Sequence, residues 1–160
     1  MHIIYSDSEF SKPSKSTSSI FLAGPSPRGY GEGHPPDWRD DAIKVYEQME
    51  FSGRLFIPRP STGVMGSYDN QIEWELHHLD IADTILFWVP RKYPSMKGMT
   101  TNVEFCMWVK DPKIIYGRPD WAEQVRYLDH LYKKYLNRTP YNELTSLVKQ
   151  SIILSSISRS

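Results

Sequence analysis

The sequence predicts an α/β fold: a flavodoxin- or Rossmann-like three-layer sandwich with a mostly parallel central sheet. Three observations carry that expectation. Short apolar runs at residues 20–23, 54–58, 84–89 and 113–117 alternate with stretches of helical periodicity. Strands that alternate with helices in this way pair in parallel, with the helices covering both faces. The run 84–89 is apolar without alternation, as expected of a strand buried on both sides. Finally, the segments after strands are long and polar, whereas those leading into strands are short. A cleft built from the strand-to-helix loops follows from that asymmetry.

Taken in order, residues 2–5 read as a short edge strand and 8–19 as a serine-rich loop. Ile20-Phe21-Leu22-Ala23 is a buried strand stopped by Gly24-Pro25, and 26–36 is a long Gly/Pro loop. Asp37 is the expected N-cap of a helix with Trp38, Ala42, Val45, Tyr46 and Met49 at helical spacing. After the strand at 54–58 comes a second Gly/Pro loop. A helix then opens at Asp69 or Asn70, with Ile72, Leu76, Leu79 and Ala82 on one face. Strand 84–89 is followed by a loop and a short helix at 101–110, ended by Asp111-Pro112. Strand 113–117 leads to helices expected at 121–136 and 141–157. The 160 residues make one domain, 1–160, with a core at about 19–136 and a C-terminal helical extension at about 141–157.

Composition narrows the function. Lys+Arg and Asp+Glu both number 19, so no excess positive charge exists to release counterions from nucleic acid or to seek an anionic membrane. The single cysteine, Cys106, leaves no intramolecular disulfide and no cysteine-cluster zinc site, and it reads as a small packed residue. His77 and His78 are adjacent on a helix, point about 100° apart and cannot share one metal. No metal and no cofactor are called for. Neither a leader nor an 18-residue apolar run is expected, and a reducing cytoplasm fits.

Chemistry-bearing residues gather at one expected sheet edge. Gly24-Pro25 and the loop carrying His34 leave the first main strand. Asp69, Glu73 and Glu75 open one helix, and Thr100 to Glu104 follow the third main strand. Two readings of Glu104 stay open: Thr101-x-x-Glu104 has the spacing of a capping box, and a carboxylate in a helix's first turn beside a cleft is also a nucleophile. Glu75 lies close to the apolar stripe, where burial raises a carboxyl's pKa and suits it to proton donation. Arg28, Arg39, Arg59 and Arg91 are possible phosphate partners. No Gly-Lys-Ser/Thr or GxGxxG pattern is present, which argues against triphosphate hydrolysis and dinucleotide redox binding.

Several segments, in order, resemble the nucleoside 2-deoxyribosyltransferase-like family. They are Ile20 to Pro25, Trp38-Arg39, Gln71-x-x-Trp74-Glu75, Ala82-Asp83-x-Ile85-Leu86-Phe87-Trp88-Val89-Pro90 and Thr101 to Phe105, and they span about residues 19–128. The resemblance implies a flavodoxin-like fold and cleavage of a nucleoside or nucleotide N-glycosidic bond through a covalent glycosyl-enzyme. Glu104 is then the nucleophile and Glu75 the second acid. Phe21, Gly24, Pro25, Trp38, Tyr68, Asp69, Trp88 and Asn102 are the expected substrate contacts. Phe21 stands where the family often has tyrosine, Gly98 where it has an acid, and Cys106 where it has a small residue. A glycohydrolase of nucleoside monophosphates or of a larger nucleotide such as NAD, and a non-catalytic nucleotide-binding module, are the alternatives. The resemblance also implies a homo-oligomer, for which the apolar C-terminal stretch from Tyr141 is the expected interface.

Overall fold

A computed structural model describes residues 1–28, 35–64 and 66–157. The loop expected to carry Gly29, Gly31, Gly33 and His34 lies outside the described residues. The elements are β1 (His2–Tyr5), β2 (Ser19–Ala23), α1 (Trp38–Gln48), β3 (Arg54–Ile57), α2 (Tyr68–Ile81), β4 (Thr84–Trp88), α3 (Met99–Trp108), β5 (Ile114–Gly117), α4 (Arg126–Leu136) and α5 (Leu144–Ile157). All five strands pair in parallel, in the order β1-β3-β2-β4-β5. The chain leaves β2 in one direction to reach β3, then crosses back over β2 to β4. This reversal makes the carboxyl ends of β2 and β4 the switch point where open α/β sheets take their ligands.

Every residue of β2, β4 and β5 is buried, so these strands have no polar face. Two cores follow from that. One joins the sheet to α2, α3 and α4 through Phe21, Trp74, Phe87, Phe105, Tyr116 and Tyr132. The other joins it to α1 and α5 through Leu22, Tyr46, Leu86, Ile115, Leu147 and Val148. At the foot of β2, the Asp83 carboxylate accepts from both the backbone N–H and the hydroxyl of Ser19, each at 2.8 Å. That pair sets the register of β2 against β4 at their amino ends.

Asp37 caps α1 as expected, accepting from the Arg39 N–H at 3.1 Å. Other expectations are corrected. α3 starts at Met99 behind Gly98, whose φ of 62° is left-handed, so Glu104 sits in the second turn and Thr101 does not cap the helix. α2 starts at Tyr68 and turns Trp74, His78 and Leu79 inward, whereas Ile72 and Leu76 are exposed. The larger rings take the core: the Trp74 and His78 rings stack with centroids 3.9 Å apart. α4 begins at Arg126 because Gln124 adopts a positive φ of 51°, leaving Trp121 exposed in a turn. α5 begins at Leu144. Tyr141 precedes it and forms a bridge with Gly117. Cys106 is exposed. Much of the C-terminal stretch is core: Leu147, Val148, Ser151 and Ser155 are buried, and Ser151 meets the Tyr46 hydroxyl at 2.7 Å.

Gly24 is where the sheet meets the site. Its φ is 151°, and a Cβ there would lie 2.1 Å from the Trp88 carbonyl oxygen and 2.8 Å from the Trp38 ring. Because the first obstacle is backbone, Gly24→Ala is expected to destabilise the protein by roughly 2 kcal/mol or more. Urea unfolding checks this, and an unchanged midpoint would contradict the close packing.

Candidate active site

A cavity of about 260 Å³ opens at the switch point, lined by the β2 exit loop, α2 and the start of α3. Of the sequence-derived site residues, Glu75, Glu104, Gly24, Pro25 and Tyr68 line it. Phe21, Trp38, Asp69, Trp88 and Asn102 do not. Phe21 is fully buried beneath Trp74, with ring centroids 6.3 Å apart. Trp88 is buried in the opposite core, and Trp38 donates its indole N–H to the Pro25 carbonyl at 3.0 Å. Asp69 is exposed beside the cavity, and Asn102 accepts a hydrogen bond from Arg91. These residues support the walls. The cavity also has lining residues not expected from the sequence: Pro58, Gln71, Ile72, Lys97 and Met99. Gln71 had a readable signal in its i,i+4 spacing to Glu75.

Glu75 comes from the second turn of α2 and Glu104 from the second turn of α3. The two carboxyl groups lie within hydrogen-bonding reach of each other across the cleft. Gln71 Nε2 donates to Glu75 Oε1 at 2.8 Å, which leaves Glu75 oriented toward α3. Burial, then the negative charge of Glu75, pushes the Glu104 carboxyl up to about 8. Burial also raises Glu75, opposed by its hydrogen bonds to Gln71 and Glu104 and by the charge of Arg39. Glu104 therefore keeps its proton at neutral pH with a second buried carboxyl beside it, an arrangement in which an acid and a base can be separated.

The arginines behave differently from one another. Arg39 is buried in the cavity wall. Arg59 pairs with Asp37 and Asp40, and Arg91 donates to the carbonyls of Gln124 and Gly98 as well as to Asn102. Arg28 and Lys97 line the cavity with Tyr68, Ile72 and Met99. A larger cavity of about 620 Å³, between α4 and α5, is lined by no carboxylate among the described residues. Among the described residues no group of three or more His, Cys, Asp or Glu could hold a metal ion, and no helix is long and apolar enough to cross a membrane.

The raised Glu104 has a consequence for stability. Below the ordinary glutamate value of 4.5, both the folded and the unfolded chain hold this proton. As the pH rises above that value, the unfolded chain releases it and the folded site does not, so folding is progressively disfavoured up to about 8. Glu104→Gln is expected to stabilise the protein, by little at pH 4.5 and by on the order of 1 kcal/mol or more at pH 8. Thermal melts across that range check the sign, and an equal shift at every pH would contradict it.

The sequence profile of the family described as nucleoside 2-deoxyribosyltransferase like matches residues 17–121, well over half of the chain. No curated protein matched the sequence. The matched segment runs from just before β2 through α3 and β5, and so contains both carboxylates and the exit loop that faces them. The chain belongs to the nucleoside 2-deoxyribosyltransferase-like family.

Proposed function

We propose that this protein cleaves the N-glycosidic bond of a nucleoside or nucleotide through Glu104, by transfer to a second base or to water. The observation that carries the reading is the pair of carboxyls, Glu75 and Glu104, that line one switch-point cleft within hydrogen-bonding reach of each other. When a ligand binds, the shared proton moves to Glu75. A Glu104 carboxylate oxygen then attacks C1′, and the electrons of the C1′–N bond pass to the leaving base. That base takes the Glu75 proton. In the second half, water or another base attacks C1′ and the Glu104 ester bond breaks. The Glu75 carboxylate receives the proton. Tyr68, Ile72 and Met99 offer apolar surface to a nucleobase at the mouth, while Arg28 and Lys97 face a sugar hydroxyl or phosphate. Three of the four arginines noted in the sequence give their guanidinium groups to protein acceptors, which favours a mononucleoside or mononucleotide over a pyrophosphate-containing ligand.

The deciding experiment is chromatographic detection of released or exchanged base from a panel of ribo- and deoxynucleosides and their 5′-monophosphates. Glu104→Ala is expected to lower the rate at least about 10³-fold, and Glu75→Gln roughly 10²- to 10⁴-fold. The wild-type rate should fall as the pH rises through about 8, where the pair gives up its last proton. Equal turnover in Glu104→Ala would remove it as nucleophile. A non-catalytic binding module is the second reading, and it requires ligand affinity without turnover in both wild type and Glu104→Gln.

We also propose a homo-oligomer, but through a face other than the C-terminal one. α2 exposes Tyr68, Ile72 and Leu76, and α3 exposes Met99, Val103 and Met107, each set at i, i+4, i+8 on neighbouring helices. The two stripes flank the mouth of the cleft, which Tyr68, Ile72 and Met99 line, and together offer apolar side chains suited to a second copy of the chain. Sedimentation velocity at micromolar concentration should show an assembly that Val103→Glu with Met107→Lys dissociates. A wild-type monomer would refute it.

A further inference from the structure

The dipeptide Trp38-Arg39 begins α1, on the face of the sheet opposite the two carboxylate-bearing helices. Arg39 is nevertheless in the cavity wall, and it is only 1% exposed. Its guanidinium reaches back over the end of β2. Nε donates to the Leu22 carbonyl at 3.1 Å and Nη2 to the Gly24 carbonyl at 2.7 Å. Nη1 meets the Ser26 hydroxyl at 3.3 Å and Asp37 Oδ1 at 3.1 Å. The group lies 4.7 Å from the Trp38 ring centroid, and Trp38 in turn holds the Pro25 carbonyl. One dipeptide thus fixes three carbonyls at the end of β2 and in its exit loop, and two of those residues, Gly24 and Pro25, line the cavity.

We propose that Arg39 is the positioning residue of this site: it fixes the Leu22–Ser26 wall through its hydrogen-bonding fork and supplies the buried positive charge against which the Glu75–Glu104 pair carries its negative charge. This rests on the carboxylate-pair reading of the site. The charge balance supports it. Glu75 from α2 and Glu104 from α3 face the cavity, where Lys97 and Arg28 come from its loops and Tyr68 from the start of α2. Behind Arg39 stands Asp37, whose second oxygen is taken by Arg59, itself paired with Asp40. Asp37 is thus divided between two arginines, so it does not cancel Arg39 alone. Arg39 lowers both Glu75 and Glu104 against the burial that raises them. Lysine cannot replace it fully, because an ammonium keeps the charge but loses the planar fork.

The test compares Arg39→Gln with Arg39→Lys. ¹³C-carboxyl NMR titration of the free protein, with Glu104→Gln for assignment, reads the charge on the pair. Base release against pH reads kcat and KM. In Arg39→Gln the upper titration step should move upward by a unit or more, about a tenfold change in proton affinity. The basic limb of the rate profile should move with it. Arg39→Lys should return the titration toward wild type while KM stays raised, since the Gly24 wall is no longer pinned. An unshifted titration in folded Arg39→Gln overturns the proposal. If Arg39→Gln fails to fold, Arg39→Lys decides alone: a raised KM with a retained titration supports it, and wild-type values of both overturn it. A wild-type protein that releases no base would defeat the glycosidic reading, yet the titration would still judge Arg39.

Discussion

Two carboxyl groups confined to one small cleft cannot both be charged unless something positive lies close to them, and much of this structure is arranged around that constraint. Both glutamates are largely buried between α2 and α3, and that burial is the largest influence driving them toward the protonated form. The fold answers with a cation from the far side of the sheet. Arg39 can reach the cleft only because β2 ends abruptly at Gly24, and Gly24 can sit against the Trp88 carbonyl only because it has no side chain. Gly98 plays the matching part on the other wall. Its left-handed φ starts α3, and a Cβ there would lie 2.8 Å from Pro25 Cβ. Gly98 thus brings the α3 start against Pro25 of the β2 exit loop, while Gly24 seats that loop against the end of β4, beside a cleft of about 260 Å³.

The family's usual device, a tyrosine hydroxyl beside the nucleophile, has no counterpart at Phe21, which is buried under Trp74. The structure offers a different neighbourhood for Glu104. Glu75 is its polar partner, and Gln71 holds Glu75 from one turn earlier on the same helix. A proton shared between two carboxyls can do the orienting work of a hydroxyl, with the difference that it depends on pH. The loss of a hydroxyl on β2 and the close approach of the two glutamates are therefore compatible features of one site. Gly98 fits the same picture, since an acidic side chain there would meet Pro25 and place a third negative charge beside the pair.

How much of this was legible from residues alone depends on where each signal is written. Buried parallel strands are continuous apolar runs, so β2, β3, β4 and β5 could be read directly, and the Asp37 cap has its own signature. The sheet edge that gathers Glu75 and Glu104 followed from loop lengths. The facing of individual side chains did not. β2 and β4 are buried on both sides, so no alternation tells which of Phe21 or Trp88 turns toward a ligand. In α2, Ile72 and Leu76 compete with Trp74 and His78 for the inward face, and periodicity alone does not choose between them. The role of Arg39 was invisible for a simpler reason: two of the groups its guanidinium holds, at Leu22 and Gly24, are backbone carbonyls, which every sequence has.

The helical period links the chemistry to the outer surface. Glu75 lies three residues beyond Ile72 and one before Leu76, and Glu104 one beyond Val103 and three before Met107. On each helix, therefore, the turn that points a carboxylate into the cleft also points apolar side chains to solvent beside its mouth. Tyr68, Ile72 and Met99 belong to both the exposed stripes and the cavity wall. Under the proposed reaction, whatever covers that face also restricts the entry of water to a glycosyl intermediate. Under that proposal, completion by an incoming base or by water depends on access rather than on a further catalytic group, because both nucleophiles would use the same base, Glu75. On this proposal a covered mouth would favour transfer and an open one hydrolysis, which would make assembly and reaction outcome two readouts of the same apolar face.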